Sequence, residues 1–357
     1  MKKLKVGIVG LGRIAVLGHI PEIGKFPDRF EIVAVADIIP ERLEESHTKL
    51  SGVKKYTSLS AMLEDDEVEM ITIATRHPDH VPMALEILDA GKIAVVEKPV
   101  ACSMKEMAAL EAAAAKHPGK LFFRHNRRYE PAFRKALELA SGGIIGDVHY
   151  IKLYRSVGFC RRNDWMTMTE FYGGLLSNWG PHLIDQALQF IGAPAEVVFA
   201  DVRRVVSIGD GDDTEKIILR GTNGRIADIE ISGANAMPGR EMEIVGSRGA
   251  IVFDGGKSKI KVRSIDPCVT LRELKPHPET PPLRYGNADE RLYFVESEYE
   301  VPDGSIGDLW AAIHDDVVNG IPCPVTIRQA AEVVRITEEA FAKSKFAPIE
   351  NFKSKLS

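Results

Sequence analysis

The sequence has few of the features that mark metal sites, disulfide scaffolds or membrane spans. It contains only four cysteines, and they form neither a Cys-x-x-Cys pair nor a cluster with histidine. This spacing favours reduced thiols and gives no sign of a zinc site. No run of about 18 apolar residues is present, so no transmembrane helix is predicted. The cysteines are Cys102, Cys160, Cys268 and Cys323.

A strong bias in charge is also absent. The chain has 46 lysines and arginines against 51 aspartates and glutamates, a net charge of −5 at pH 7. The cations are spread along the chain, so no basic block predicts nucleic-acid binding. The apolar run after Met1 is interrupted by glycines and Arg13, which favours a strand entering a turn over a signal peptide. We therefore expect a cytoplasmic protein.

The length and composition are those of a globular protein with more than one core. The chain has 357 residues, of which 45% are hydrophobic and 27% charged. A single ordinary core rarely grows to this size, so two domains are predicted.

The N-terminal residues carry a glycine-rich turn. The apolar run Lys5–Val9 is followed by Gly10-Leu11-Gly12-Arg13-Ile14-Ala15. Gly10 permits a tight turn, Gly12 lets the backbone approach a pyrophosphate, and Ala15 allows the next helix to pack closely on the strand. The free N–H groups at a helix N-terminus attract phosphate. The motif therefore predicts a dinucleotide site.

An acidic residue stands where such a site binds the adenosine ribose. The second apolar run, 32–36, ends at Asp37, which is 22 residues after Ala15. A carboxylate there accepts hydrogen bonds from the ribose hydroxyls and repels a 2′-phosphate, which favours NAD over NADP. Two alternatives stay open: Asp37 is a turn residue before Pro40, or Arg42 binds a 2′-phosphate.

Strands and helices alternate through the first third of the chain. Strands are predicted over 70–75, 93–96 and 121–124, and helices over 82–90 and 104–116. This alternation predicts a doubly wound parallel sheet, which binds ligands at the carboxyl ends of its strands. Six polar side chains fall at or just beyond those ends: Thr75, His77, His80, Glu97, Lys98 and Asn126. Their histidines, with His125 and His182, do not have metal-ligand spacing, so no metal is predicted.

The pattern after Arg128 changes to short alternating strands separated by turns. An antiparallel sheet of about six strands is predicted, with helices beside it and an extended loop at 276–282. The few helices leave apolar sheet face uncovered, which favours a homodimer or homotetramer. The strands are predicted over 148–157, 197–206, 215–220, 225–232, 241–245 and 250–253, and the helices over 131–141, 182–191, 306–319 and 327–344.

Several motifs together resemble the Gfo/Idh/MocA oxidoreductase family, whose members include glucose–fructose oxidoreductase and inositol dehydrogenases. The resemblance covers residues 5 to about 345. The most specific motifs are Glu97-Lys98-Pro99 and the Gly-Gly-Leu-Leu-Ser-Asn-Trp-Gly-Pro-His-Leu-Ile-Asp segment over 173–185. The other matching segments are Gly10 to Ala15, Ala36-Asp37, Ala74-Thr75 with His80, Ala90-Gly91, Asn126-Arg127-Arg128-Tyr129 and Gly146.

The resemblance implies an α/β fold with two domains. A Rossmann domain with a doubly wound parallel sheet is expected over 1–128, and binds NAD. A substrate-binding and oligomerisation domain with a large, open, mainly antiparallel sheet is expected over 129–325. The last segment, 326–357, is expected to be a helix that packs back on the Rossmann domain.

The resemblance also implies site residues. Lys98 would hold the substrate oxygen and move its proton, and His182 would be the second acid–base group. Asn178 stands where many members have aspartate, and can orient a hydroxyl but cannot ionise. Asp185 follows His182 by three residues, so both can face one pocket. The expected cofactor contacts are Gly10, Gly12, Arg13, Ile14, Asp37, Thr75, His80, Glu97, Lys98 and Asn126.

Simpler interpretations remain for some of these residues. Lys98 can be a surface lysine after a strand, and His182 a helix-start residue that only satisfies backbone groups. Asn126 either faces the nicotinamide end of the cofactor or caps a turn. The polar stretch from Arg155 to Trp165 is either a sugar-binding segment or a salt-bridged structural loop.

The leading hypothesis is an NAD(H)-dependent oxidoreductase that transfers a hydride between nicotinamide and a secondary hydroxyl or ketone of a sugar, sugar derivative or polyol. One alternative is a glycoside-processing enzyme that oxidises its substrate transiently and retains the cofactor. The other is a dinucleotide-binding regulator without catalysis, against which the presence of both Lys98 and His182 argues.

Overall fold

We analysed a computed structural model that describes residues 2–45, 50, 52–159, 161–256, 258–273, 275–276, 278, 292–344 and 346. The predicted loop over 276–282 lies mostly outside the described residues. Among the described helices, none has the length and apolar character needed to cross a membrane.

The first sheet has six parallel strands in the order β3-β2-β1-β4-β5-β6. This order is that of a doubly wound sheet, as predicted. The central strands are apolar and buried on both faces, as parallel sheets with helices on each side require. Only β3 has no counterpart among the predicted strands. The bounds are β1 Leu4–Val9, β2 Phe30–Ala36, β3 Lys54–Tyr56, β4 Met70–Ile73, β5 Ile93–Val96 and β6 Leu121–Phe123.

Short and long helices cover this sheet and complete the first core. They are α1 Ile20–Ile23, α2 Pro40–Glu45, α3 Leu59–Leu63, α4 His80–Asp89 and α5 Met104–Lys116. A helix from the end of the chain, α9 Leu309–Asn319, also contributes Leu309, Trp310 and Ile313 to this core. The first sheet therefore depends on residues close to the C-terminus.

The second sheet has eight strands in the order β14-β13-β12-β11-β7-β10-β9-β8, two more than predicted. All neighbours are antiparallel except β7 and β10, which are parallel. The two additional strands, β13 and β14, are rich in charged residues and lack a long apolar run. The bounds are β7 Val148–Ser156, β8 Ala195–Arg203, β9 Thr214–Gly221, β10 Ile226–Ser232, β11 Met242–Gly246, β12 Gly249–Phe253, β13 Lys259–Ile265 and β14 Phe294–Glu300.

Helices lie on one face of this sheet, where alternate residues such as Ile151, Ile229 and Ile244 are fully or almost fully buried. The opposite face mixes half-buried apolar residues with charge, including an ion pair between Lys216 and Asp228 at 2.6 Å. The remaining helices are α6 Pro131–Ser141, α7 Leu175–Asn178, α8 Gly180–Ile191 and α10 Ile327–Ser344.

Candidate active site

The glycine turn after β1 is shaped for close backbone contacts. Gly10 has a φ of 87°, and a Cβ there would lie 2.7 Å from the carbonyl oxygen of Ala74. A Cβ on Gly12 would meet no described atom within 4 Å. Gly10 is thus required by the protein's own packing, whereas Gly12 leaves its backbone accessible, as a pyrophosphate contact needs. The turn continues into a π-helical segment, Ala15–His19, before α1.

Asp37 follows β2 and binds the backbone of two segments, the glycine turn and the residues just after β2. Its buried carboxylate accepts hydrogen bonds from the N–H of Leu11 at 2.7 Å and the N–H of Ile39 at 2.9 Å. Arg42 lies 3.4 Å from the same carboxylate. Asp37 is therefore a turn residue, as one of the two alternatives predicted, and it also lies beside the glycine turn.

Lys98 follows β5 and precedes a cis peptide bond to Pro99. Its Nζ donates to the Oδ1 of Asn178 at 2.6 Å and to the carbonyl oxygen of Asn178 at 3.1 Å. Part of the side chain remains exposed, but burial of the amine lowers the pKa of Lys98 to about 8. Glu97 opposes this shift, and the guanidinium of Arg127 adds to it. With this pKa, roughly a tenth of the group is the free amine at pH 7.

A buried ionic cluster lies directly beneath Lys98. The Oε1 of Glu97 is 2.9 Å from Nε of Arg124 and 3.1 Å from Nε2 of His19. Arg124 also binds Glu22 at 2.9 Å. Burial raises the pKa of Glu97, but Arg124 and His19 outweigh it and hold that pKa well below its ordinary value. The other carboxylate oxygen accepts from the N–H of Lys98, so the cluster fixes the backbone that carries the lysine.

His77 and His80 connect the strand ends with neighbouring segments. Nδ1 of His80 lies 2.8 Å from the carbonyl oxygen of Pro99, and Nε2 lies 3.4 Å from that of Thr75. Burial lowers the pKa of His80, and a neutral ring donates once, so the shorter contact favours the proton on Nδ1. Nδ1 of His77 lies 2.9 Å from the carbonyl oxygen of Tyr172, which is 95 residues further along the chain.

His182 lies in the first turn of α8 and is 7% exposed. Burial, with the positive charges of Lys98 and Arg127, lowers the pKa of His182 well below its ordinary value. Its buried Nδ1 has no hydrogen-bond partner among the described residues. A neutral imidazole with an unused nitrogen near a lysine amine can accept or donate a proton.

Two arginines pack against Trp179 beside this histidine. The guanidinium carbons of Arg127 and Arg155 lie 4.4 and 4.9 Å from the centre of its ring, and the His182 ring packs edge-on at 5.8 Å. Both arginines form ion pairs with Glu130. Sequence reasoning gave no role to Trp179 or Arg127, although both lie inside quoted motifs.

The two ends of the stretch from Arg155 to Trp165 lie in different surroundings. Arg155 lies beside Trp179 and pairs with Glu241, whereas the ring of Trp165 packs 4.9 Å from that of His77. Asp164 accepts from Arg162 at 2.7 Å and from Arg13 of the glycine turn at 3.0 Å. The paired charges are those of the structural-loop alternative, and they connect this loop to the dinucleotide turn.

Asp185 has a different environment from the one predicted. It is 2% exposed, and both carboxylate oxygens accept from the guanidinium of Arg128, at 2.5 and 2.7 Å. Arg128 also donates to the carbonyl oxygen of Pro324. This pairing makes Asp185 a structural residue, in place of the substrate contact that the sequence predicted.

The remaining predicted cofactor residues surround the same edge of the sheet. Ile14 is exposed next to the glycine turn, and the hydroxyl of Thr75 contacts the sulfur of Met83 at 3.6 Å. Asn126 is 7% exposed and starts a single 3₁₀ turn, Asn126–Tyr129. Within the described part of the chain, no group of three or more His, Cys, Asp or Glu residues is arranged to hold a metal ion.

Comparison with known proteins defines the class. Residues 4–125 match the model described as "Oxidoreductase family, NAD-binding Rossmann fold", so this first part of the chain is an NAD-binding Rossmann domain of an oxidoreductase. Residues 133–252 match the model of the GFO/IDH/MocA C-terminal domain. The chain belongs to the Gfo/Idh/MocA oxidoreductase family.

Relatives with names support the same class. The chain is 28% identical to the myo-inositol 2-dehydrogenase of Thermotoga maritima, over 70% of this chain and 75% of that protein. It is 24% identical to the scyllo-inositol 2-dehydrogenase (NADP(+)) IolW of Bacillus subtilis, over 96% and 94%. In fold, it is similar to an NAD-binding protein from Listeria innocua, with a TM-score of 0.79, 24% identity and coverage of 96% and 95%.

Proposed function

We propose that this protein is an NAD(H)-dependent oxidoreductase that transfers a hydride between nicotinamide and a secondary hydroxyl or ketone of a sugar, sugar derivative or polyol. The observation that carries the proposal is the Lys98 amine, which has a lowered pKa and lies at the carboxyl end of β5 beside neutral His182. The named inositol dehydrogenases among the relatives support a polyhydroxylated substrate.

The proposed chemistry divides between two groups. Alcohol oxidation needs a base for the hydroxyl proton and a cationic donor for the developing alkoxide. As an amine, Lys98 takes the hydroxyl proton, and as an ammonium it then stabilises the substrate oxygen. His182 is the second acid–base group, and passes the proton onward through its unused Nδ1. The dinucleotide, when bound, supplies the redox chemistry by accepting or returning the hydride.

The proposed binding residues form two groups, one for the dinucleotide and one for the substrate. Gly10, Gly12 and Asp37 hold the dinucleotide's pyrophosphate and ribose, with the other predicted cofactor residues around them. Arg155, Trp165 and Asn178 contact the substrate, and Trp179 with Arg127 extends that surface. We keep the division into a dinucleotide domain at 1–128, a substrate and oligomerisation domain at 129–325 and a C-terminal helix at 326–357, with one correction: α9 lies within the second range but packs in the core of the first domain.

The test is a direct assay of the redox reaction. NADH absorbance is recorded with monosaccharides, inositols, sugar acids and glycosides, in both directions. Turnover with stoichiometric NADH formation supports the proposal. Product formation without accumulation of NADH would instead indicate a retained cofactor, and binding of NAD with no turnover on the whole panel would indicate a regulator.

The oxidation rate is expected to depend on pH through Lys98. Because the amine is the base, kcat/KM for alcohol oxidation should rise with pH up to about 8 and then level off. The reduction needs the ammonium and should decline above the same pH. Rates that stay constant from pH 6 to 9 would remove Lys98 as the titrating group. The change in both rates should take place within about one to two pH units on each side of that pKa.

The cofactor preference is expected to depend on the charge of Asp37. We predict that NAD is used in preference to NADP, since a 2′-phosphate beside this carboxylate is repelled. Asp37→Asn removes the charge and keeps one acceptor oxygen, enough for the N–H of either Leu11 or Ile39, and should reduce the preference roughly tenfold. Equal use of NADP by the wild-type protein would indicate that Arg42 dominates instead.

The outer face of the second sheet is expected to be a subunit interface. Its half-buried apolar residues include Ile218, Val245 and Val252, between charged strand positions. We predict a homodimer or homotetramer at micromolar concentration, measured by light scattering, and dissociation by Val245→Glu. A wild-type monomer at that concentration would contradict the prediction.

A further inference from the structure

Helix α7 is very short, yet it supplies both hydrogen-bond acceptors of Lys98. Asn178, its last residue, contacts Nζ through the side-chain and backbone oxygens. A helix of four residues has almost no hydrogen bonds of its own to fix its position. Its position therefore depends on contacts with neighbouring segments: its leucines pack in the second core, and its start is held by hydrogen bonds.

Those hydrogen bonds converge on one residue, Asp212, through its backbone carbonyl and its carboxylate. The N–H of Leu175 donates to the carbonyl oxygen of Asp212 at 3.0 Å, and the N–H of Leu176 donates to its Oδ2 at 2.7 Å. Asp212 is 3% exposed. Gly174, with a φ of 121°, admits this approach because a Cβ there would collide with the Asp212 carboxylate.

A second buried carboxyl lies next to Asp212. Glu215 is 1% exposed, and neither of its side-chain oxygens meets hydrogen-bond criteria with a described partner. Two adjacent buried carboxyls cannot both carry a charge at low cost. Burial and the Asp212 carboxylate raise the pKa of Glu215 well above its ordinary value, so Glu215 is the protonated member of the pair.

We propose that Asp212 is a positioning residue for Lys98. It holds Leu175 and Leu176, and through them α7 and Asn178, so that the oxygens of Asn178 meet the lysine Nζ. Protonated Glu215 allows the charge of Asp212 to remain buried behind the helix. The link to turnover rests on the proposed function, but the link to the Lys98 amine does not.

The adjacent Asp213 provides a matched control. Its carboxylate accepts from the N–H groups of Val205, Val206 and Ser207, and so fixes a different loop. Asp212→Ala and Asp213→Ala therefore both remove a buried, hydrogen-bonded carboxylate. Only the former should affect Lys98.

The first measurement is independent of any substrate. The pH dependence of Lys98 acetylation by acetic anhydride, quantified by peptide mass spectrometry, gives the midpoint of the amine's titration. Asp212→Ala should remove the Asn178 oxygens that accept from the ammonium, which lowers the pKa, and admit water, which raises it. The expected result is a midpoint that moves from about 8 by at least roughly half a unit in either direction. Asp213→Ala and the conservative Asp212→Asn and Glu215→Gln should leave the midpoint unchanged. An unchanged midpoint in Asp212→Ala would overturn the proposal.

The second measurement is a double-mutant cycle on turnover. Asp212→Ala should lower kcat/KM by about ten- to a hundredfold, the scale of a misplaced catalytic group. Combined with Asn178→Ala, it should add little, because both act on one contact. Asp213→Ala should combine multiplicatively with Asn178→Ala. If Asp212→Ala and Asn178→Ala lowered kcat/KM multiplicatively, the proposal would be overturned. If Asp212→Ala shifted the acetylation midpoint but the protein had no dehydrogenase activity, only the proposed function would be disproved.

Discussion

Lys98→Met is expected to lower kcat by at least about a hundredfold and to leave NAD binding intact, as for the loss of a positioned acid–base group. Methionine has a similar length and no ionisable group, so the fold around Asn178 should persist while the proton acceptor is lost. The rising limb of the pH profile should disappear with it. The measurements are steady-state kinetics and a fluorescence titration with NADH.

Lys92 is a suitable control for that substitution. It precedes the opposite end of β5, where its Nζ donates to the carbonyl oxygens of Asp65 and Val68. Lys92→Met should change stability without changing kcat. If Lys98→Met retained near-normal kcat, Lys98 would have no part in the chemical step.

Arg124→Met should be strongly destabilising, by about 3–5 kcal/mol, the usual cost of removing one partner from a buried ion pair. Arg124 is fully buried, binds Glu97 and Glu22, and lies 5.5 Å from the ring centre of Trp310 on α9. Its loss would leave two carboxylates in the core without their cation. Urea unfolding, followed by circular dichroism, measures the change in unfolding free energy.

The matched substitution is Arg29→Met. Arg29 also connects the first sheet to α9, through Asp315 at 2.9 Å, but both side chains are partly exposed. An ion pair of this kind contributes about 1 kcal/mol or less. A similar loss of stability in the two variants would show that burial of the Arg124 cluster is not the source of its effect.

The sequence predicted the first sheet more accurately than the second because the two sheets carry different signals. Central parallel strands are continuous apolar runs, so β1, β2, β4, β5 and β6 are found within about two residues of the predicted positions. In β13, exposed charges alternate with buried positions, and in β14 no residue is buried, so neither strand shows an apolar run. β3 has only three residues, two of them lysines.

In the site, too, residues within motifs could be predicted, whereas partners distant in the sequence could not. The resemblance to the family was enough to select Lys98, Asn178 and His182; in the structure Asn178 contacts the Lys98 amine, and the charge of that amine acts on His182. The resemblance could not show that Asp185 would pair with Arg128, 57 residues away, because partner choice depends on the folded arrangement. The proposed positioning role of Asp212 could not be predicted from the sequence for the same reason. It depends on a contact with a helix that starts 37 residues earlier.

The contact between Lys98 and Asn178 crosses from one core to the other. Lys98 follows a strand of the parallel sheet, whereas Asn178 and His182 belong to helices that pack on the antiparallel sheet. The rate of the proposed reaction is therefore expected to depend on how the two cores are placed relative to each other. A substitution that shifts one core against the other would separate the amine from its acceptors without changing any group that meets the substrate.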